Sequence, residues 1–310
     1  MKVSVIIPNY NHGSFLEQRI DSVLNQTHQD IEVIILDDLS TDYSKTVIEK
    51  YRGNPKIAQI VYNEVNSGSA FRQWQKGLMM AKGEMIWLAE SDDWCENNFL
   101  EVLLEGIQKH PDCVLAYCQT YCIDTANNIW WVTKGNNLEE KMEGKVFIEK
   151  HLLKGTAIVN ASMAIFKRDA FLHMPPDFME FRFLGDWLFW IETARQGNIF
   201  ISGRVLNFFR RHDMAVSEMG HATGGDLIEN LKIIRKLKEY SCIPERLYRQ
   251  LVFMKYKKFT LNKKKYSPEA ARRISSSFFE MFPDRASAKK YLWLMYAKSR
   301  FSALKGGKKG

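Results

Sequence analysis

The chain has 310 residues, 45% hydrophobic and 26% charged, which suits one large or two smaller folded domains and excludes global disorder. Its formal charge of +8 is uneven: residues 221–310 carry 22 Lys and Arg against 7 Asp and Glu, making that part +15 and the remainder −7. No stretch reaches the ~18 consecutive apolar residues of a spanning helix, and Cys95, Cys113, Cys118, Cys122 and Cys242 lack the paired spacing of zinc sites or disulfide scaffolds, so they read as reduced thiols in a cytoplasmic protein.

In chain order, Val3 to Ile7 is a β-branched run closed by Pro8, which predicts a buried strand followed by a loop over Pro8-Asn9-Tyr10-Asn11. Ser14 with Glu17 three residues on matches a capping box, opening a helix whose apolar face holds Phe15, Ile20, Val23 and Leu24. Ile31 to Leu36 predicts a second strand ended by Asp37-Asp38, and Ser40-Thr41-Asp42 opens a helix to about Tyr51. A third strand spans residues 57–62. Asn66-Ser67-Gly68-Ser69 then leads into a helix carrying Arg72, Trp74, Leu78 and Met79 and stopped by Gly83. Met85 to Ala89 predicts a fourth strand, ended by Glu90-Ser91-Asp92-Asp93.

Short apolar strands alternating with helices predict an α/β fold, a mostly parallel Rossmann-like sheet that gathers ligands outside the carboxyl ends of its strands. Asp38 and Asp92-Asp93 then share one edge. Carboxylates gathered there repel one another, and a hard divalent cation carrying phosphate oxygens relieves that repulsion. The plain alternative is an acidic turn before the helix that starts near Asn97.

Residues 97–110 are amphipathic, Val114 to Tyr117 starts another strand, and residues 121–132 suit a hairpin. Asn160-Ala161-Ser162 places small polar residues in the 155–166 stretch, as a strand edge lining a cleft or an ordinary strand crossing. Asp186 stands alone among Phe183, Leu184, Trp187, Leu188, Phe189 and Trp190, a setting that suits a helix cap first and a general base second. An apolar strand from near Ile199 leads to Arg210-Arg211-His212, where His212 suits a metal or phosphate contact or a structural role. Composition changes near Gly220, which divides a domain over residues 1–220 from a basic α-helical region over residues 221–310. That region suits an anionic phospholipid surface ahead of nucleic acid, with solvated helix faces, packing on the first domain or a homodimer as alternatives.

The order of these motifs resembles the inverting family-two glycosyltransferases. The residues that carry the resemblance are Val3 through Asn11, Ser22 through Thr27, and Ile35 through Asp42, and it extends over roughly residues 1–217. It implies the A-type glycosyltransferase fold and transfer of a sugar, with inversion, from a nucleotide-diphosphate sugar, a UDP-sugar by preference. The acceptor would be a hydroxyl of a glycan or lipid-linked molecule, in surface polysaccharide biosynthesis.

By the same resemblance Pro8 and Tyr10 line the base pocket, Asp38 binds the uracil-type base, and Arg72 approaches base or diphosphate. Asp92 holds the ribose or sugar side, Asp93 and His212 bind Mg2+ or Mn2+, and Asp186 is the catalytic base. Glu90 stands where many relatives carry Asp, and Gly185 where an acidic residue often precedes the base. An inactive nucleotide-sugar sensor or membrane scaffold is the alternative function.

Overall fold

The computed structural model describes residues 1–153, 155–211, 220, 223–240 and 242–306. Two compact units make up the chain, Met1–His212 and Asp213–Gly310. In the first, β1 (Val3–Asn9), β2 (Ile31–Asp37) and β4 (Met85–Leu88) are buried along their whole length. Strands covered on both faces need apolar residues at nearly every position, so they read as continuous runs without alternation. β1 lies between β2 and β4, parallel to both, and β3 (Ile57–Tyr62) pairs in parallel outside β2.

Beyond β4 the sheet continues through β9 (Ala164–Lys167), β6 (Cys113–Ile123), β10 (Asn198–Arg210) and β5 (Trp94–Cys95), while β7 (Ile129–Val132) pairs with β6 and β8 (Glu139–Met142) with β10. β9 runs antiparallel to both β4 and β6. The sheet is thus parallel through β3, β2, β1 and β4 and mixed thereafter, an α/β sheet flanked by helices. The 121–132 hairpin forms as expected, with Tyr121 opposite Val132. The 155–166 strand is mostly absent. Ala161–Met163 is a 3-10 turn capped by Asn160, whose Oδ1 accepts from Ser162 N at 2.8 Å, and only β9 remains extended.

Helices α1 (Gly13–Leu24), α2 (Ser44–Lys50), α3 (Ala70–Met80) and α4 (Phe99–Lys109) link the early strands, and α5 (Gly144–Phe147), α6 (Arg168–Leu172) and α7 (Gly185–Ala194) follow. The Ser14–Glu17 box does not form. Residue His12 begins α1 without a side-chain cap, and Gly13 N donates instead to Asp42 Oδ2 at 2.8 Å. Gly83 does not end α3, which stops at Met80; a Cβ at Gly83 would lie 2.6 Å from Ser4 N, so close backbone approach is what requires glycine there.

The second unit contains helices Gly225–Glu239, Glu245–Asn262, Pro268–Phe279 and Arg285–Gly306. Leu231, Ile234, Leu251, Val252, Ile274 and Phe278 are buried within it. Among the described residues no helix is long and apolar enough to cross a membrane.

Candidate active site

Because β1 separates β2 from β4, the carboxyl ends of three parallel strands meet. They bring together the Pro8-to-Tyr10 turn, Asp37-Asp38 and Glu90 to Asp93. Pro8 pairs with Leu36 inside the sheet, and the Tyr10 ring is 48% exposed beyond the strand end. Asp37 is structural: its carboxylate accepts from Asn9 Nδ2 at 2.8 Å and Ser40 N at 3.0 Å.

Asp38, 4% exposed, organises the loop before α3. Its Oδ1 accepts from Asn63 Nδ2 (2.6 Å), Ser67 N (2.8 Å) and Gln73 Nε2 (2.9 Å), and its Oδ2 from Ser67 Oγ (2.7 Å). Oδ2 thus keeps acceptor capacity where Asn66 to Ser69 turn into α3. Arg72 projects from the first turn of α3 and is exposed, with Nη1 3.5 Å from Ser67 O.

The acidic cluster divides unlike the expectation. Asp93 is 1% exposed and turned inward. Its Oδ2 accepts from Ser162 Oγ at 2.6 Å, its Oδ1 from Arg210 N at 2.9 Å, and Arg19 Nη2 lies 3.8 Å away with its side chain wholly buried. Burial and Asp92 raise its pKa, against the Arg19 charge. A carboxylate so enclosed and so occupied is badly placed to ligate an incoming metal, whereas Asp92 is only half-buried. The metal role expected of Asp93 thus falls on an enclosed carboxylate, with the half-buried Asp92 beside it.

Glu90 Oε1 accepts from Trp74 Nε1 at 2.7 Å, and burial, with Asp92 and Asp93 beside it, pushes its carboxyl up to about 8. Burial is the larger cause; the part owed to Asp92 and Asp93 is negative charge that a divalent cation would offset. No three His, Cys, Asp or Glu side chains among the described residues form a metal cage. This donor set fits a cation completed by phosphate oxygens, as magnesium and manganese prefer. His212 lies outside the described residues.

Asp186 sits in the first turn of α7 (Gly185–Ala194), where free N–H groups favour negative charge, and its Oδ1 accepts from Trp187 N at 2.8 Å. It is not the N-cap, which is Leu184. Gly185 explains one departure from the resemblance: a Cβ there would lie 2.5 Å from Phe178 O and 2.6 Å from the Phe71 ring, so no acidic side chain fits.

Of three supporting residues, Arg19 escaped the sequence reading, and Ser162 and Arg210 were named there without these roles. Arg19 lies on the buried stripe of α1 with Leu16 and Val23, and a charge on such a stripe is a usable signal. Its Nε donates to Glu90 O at 2.8 Å. Ser162 Oγ also accepts from Glu90 N at 3.0 Å. Arg210, 3% exposed, donates from Nε to Asp92 O (2.9 Å) and from Nη2 to Gln18 Oε1 (2.9 Å), and it reaches Asn127 Oδ1 (2.9 Å) in the hairpin turn. Nothing in the local sequence marks partners so distant.

The family model described as "Glycosyl transferase family 2" matches residues 4–174, more than half of the chain. The chain belongs to glycosyl transferase family 2. It is 40% identical over 119 residues to the poly(ribitol-phosphate) beta-N-acetylglucosaminyltransferase TarP of Staphylococcus aureus, covering 37% of this chain and 36% of that one. The Streptococcus pneumoniae glycosyltransferase GlyG and TarP are thus matched over 44% and 36% of their length, so the chain spans less than half of these relatives.

Among solved structures, S. aureus TarS residues 1–349 with UDP-GlcNAc aligns at a TM-score of 0.69 and 18% identity, covering 91% of this chain and 80% of that one. The Pyrobaculum calidifontis mannosyltransferase PcManGT, in complex with GDP-Man and Mn2+, aligns at 0.56 and 15%, covering 97% and 87%. These likenesses establish the A-type glycosyltransferase fold. In this family 2 chain the β1, β2 and β4 ends carry the candidate site.

Proposed function

We propose that this family 2 chain transfers a sugar from a UDP-sugar to a hydroxyl of a glycan or lipid-linked acceptor, with inversion, in surface polysaccharide biosynthesis. The observation that carries the reading is the convergence of three strand ends on one edge. It sets the Asp38 loop, Glu90 and Asp92 side by side. The poly(ribitol-phosphate) acceptor in the name of TarP and the UDP-GlcNAc complex of TarS support a polymeric acceptor and a UDP-sugar donor.

In this reading Tyr10 and Asp38 hold the base, Arg72 meets the diphosphate, and Glu90 and Asp92 face the sugar side. Asp186 accepts the proton of the acceptor hydroxyl as that oxygen attacks the anomeric carbon from the face opposite the diphosphate, which gives inversion. Mg2+ or Mn2+ would be held by Asp92 and the donor's phosphates, and would neutralise charge growing on the leaving diphosphate. The PcManGT complex with Mn2+ supports a divalent ion.

The decisive experiment starts with a thermal-shift screen of nucleotide sugars with manganese present, followed by transfer and donor binding for Asp186→Asn. Expected are loss of transfer and donor affinity close to wild type. An equal loss of both would overturn the base assignment. A chain that binds donor but neither transfers nor slowly hydrolyses it would be the inactive sensor or scaffold.

For the second unit we propose docking on an anionic membrane surface, where a lipid-linked acceptor would lie. Along the Glu245–Asn262 helix, Arg246, Gln250, Met254, Lys257, Lys258 and Leu261 are exposed at three- and four-residue spacing. That stripe holds cations and apolar side chains and no acid, and it runs on to Lys263, Lys264 and Lys265.

A further inference from the structure

The donor-side carboxylate and the helix of the proposed base meet on one side chain. Trp74, 3% exposed on α3, donates its Nε1 hydrogen to Glu90 Oε1 at 2.7 Å. Its ring stands edge-on to Phe71 (5.2 Å between centroids, 86°) and to Phe189 (5.7 Å, 78°). Phe189 lies three residues after Asp186 on α7. Phe189 is held in turn by Phe166 at 5.1 Å and Phe178 at 5.2 Å. Phe71 is the ring that leaves no room for a Cβ at Gly185. Both the start and the buried side of α7 therefore rest on Phe71, Trp74 and Phe189, and Glu90 is tied to the same group.

We propose that Trp74 is a positioning residue that fixes the spacing between Glu90 on the donor side and Asp186 on the acceptor side. This rests on the reading of Asp186 as base and of Glu90 with Asp92 as donor-facing groups. An indole has one N–H and no acceptor, so its single bond to Oε1 orients the carboxylate and leaves Oε2 for a ligand hydroxyl. Glutamate reaches the indole because it is longer than aspartate by one carbon–carbon bond, ~1.5 Å. Trp74 and Glu90 thus depend on each other. In a direct displacement the base and the anomeric carbon must be held together in line, and a misplacement of ~1 Å costs on the order of 10²-fold in rate.

The test uses the full chain, with UDP affinity measured by calorimetry and turnover by steady-state kinetics for wild type, Trp74→Phe, Glu90→Asp and the double variant. Wild-type donor binding and turnover judge the functional reading, and the variants, measured against that wild type, judge the positioning role. Trp74→Phe keeps an aromatic ring and loses the N–H. It is expected to lower kcat by about 10- to 100-fold, to change the KM for donor less than threefold, and to leave UDP affinity within twofold. Glu90→Asp, which leaves the aromatic packing alone, is expected to lower kcat to a similar degree. The double variant should be no slower than the worse single one, because both remove the same bond. Wild-type kcat in either single variant, or losses that multiply in the double, would overturn the proposal.

Discussion

Asp92 and Asp93 are adjacent in sequence and opposite in circumstance. Asp93 is enclosed by Ser162, Arg210 and Arg19, while Asp92 retains exposure. Asp93→Asn is expected to destabilise the ligand-free protein by about 1–3 kcal/mol, the cost of disturbing a buried hydrogen-bonded group. Asp92→Asn should remove the extra stabilisation given by Mn2+ with UDP. Urea unfolding with and without those ligands measures both. Glu90 adds a pH dependence. Its folded-state pKa of about 8 lies above its ordinary value of 4.5, so the folded chain holds a proton that the unfolded chain has released. Stability without ligand is therefore expected to fall as pH rises from about 4.5 through 8, and Asp93 acts in the same direction. Melting temperatures across pH 5 to 9 should show that slope in wild type and a shallower one in Glu90→Gln.

At the scale of elements, the start of α7 fits its neighbours with no space to spare. Gly185→Ala would drive a Cβ against Phe178 O and the Phe71 ring. The expected result is a loss of about 1–3 kcal/mol of stability and slower transfer, because the turn that carries Asp186 has to move. Unfolding midpoints and turnover together check it. Strands β1, β2 and β4 were legible because burial on both faces writes itself as an unbroken apolar run. The direction of β9 was not, since an apolar run looks the same parallel or antiparallel. The cap of α1 was misread for a related reason: a Ser and Glu at the right spacing are local, and the actual donor–acceptor pair joins Gly13 to Asp42. In the site, Asp38 and the acidic cluster were visible as carboxylates ending strands. The inward turn of Asp93 was hidden because Ser162 and Arg210, which cause it, arrive from far along the chain.

At the scale of the whole molecule, charge separates along the sequence, with +15 in residues 221–310 and −7 before them. The exposed stripe from Arg246 to Leu261 leads to a direct expectation. The full chain should float with vesicles containing phosphatidylglycerol, should ignore pure phosphatidylcholine, and should be released as salt rises. Replacing Lys257, Lys258, Lys264 and Lys265 by Glu should abolish flotation while leaving soluble-donor hydrolysis intact. Equal behaviour on neutral and anionic vesicles would remove the membrane reading and leave a solvated helix face.

Arg210 closes the first unit in a way that bears on how the protein is made. Its N–H reaches Asp93 from 117 residues further along the chain, and its guanidinium reaches Gln18 from 192 residues further along. A nascent chain with β1 to β4 emerged already carries Arg19, the cation beside Asp93, and still lacks the Arg210 N–H that fixes Asp93 Oδ1. The acidic loop is expected to take its final form only when β10 docks and Arg210 N meets Asp93 Oδ1. The candidate site would then be completed only after β10 is translated, well after Asp38 and Asp92 have emerged.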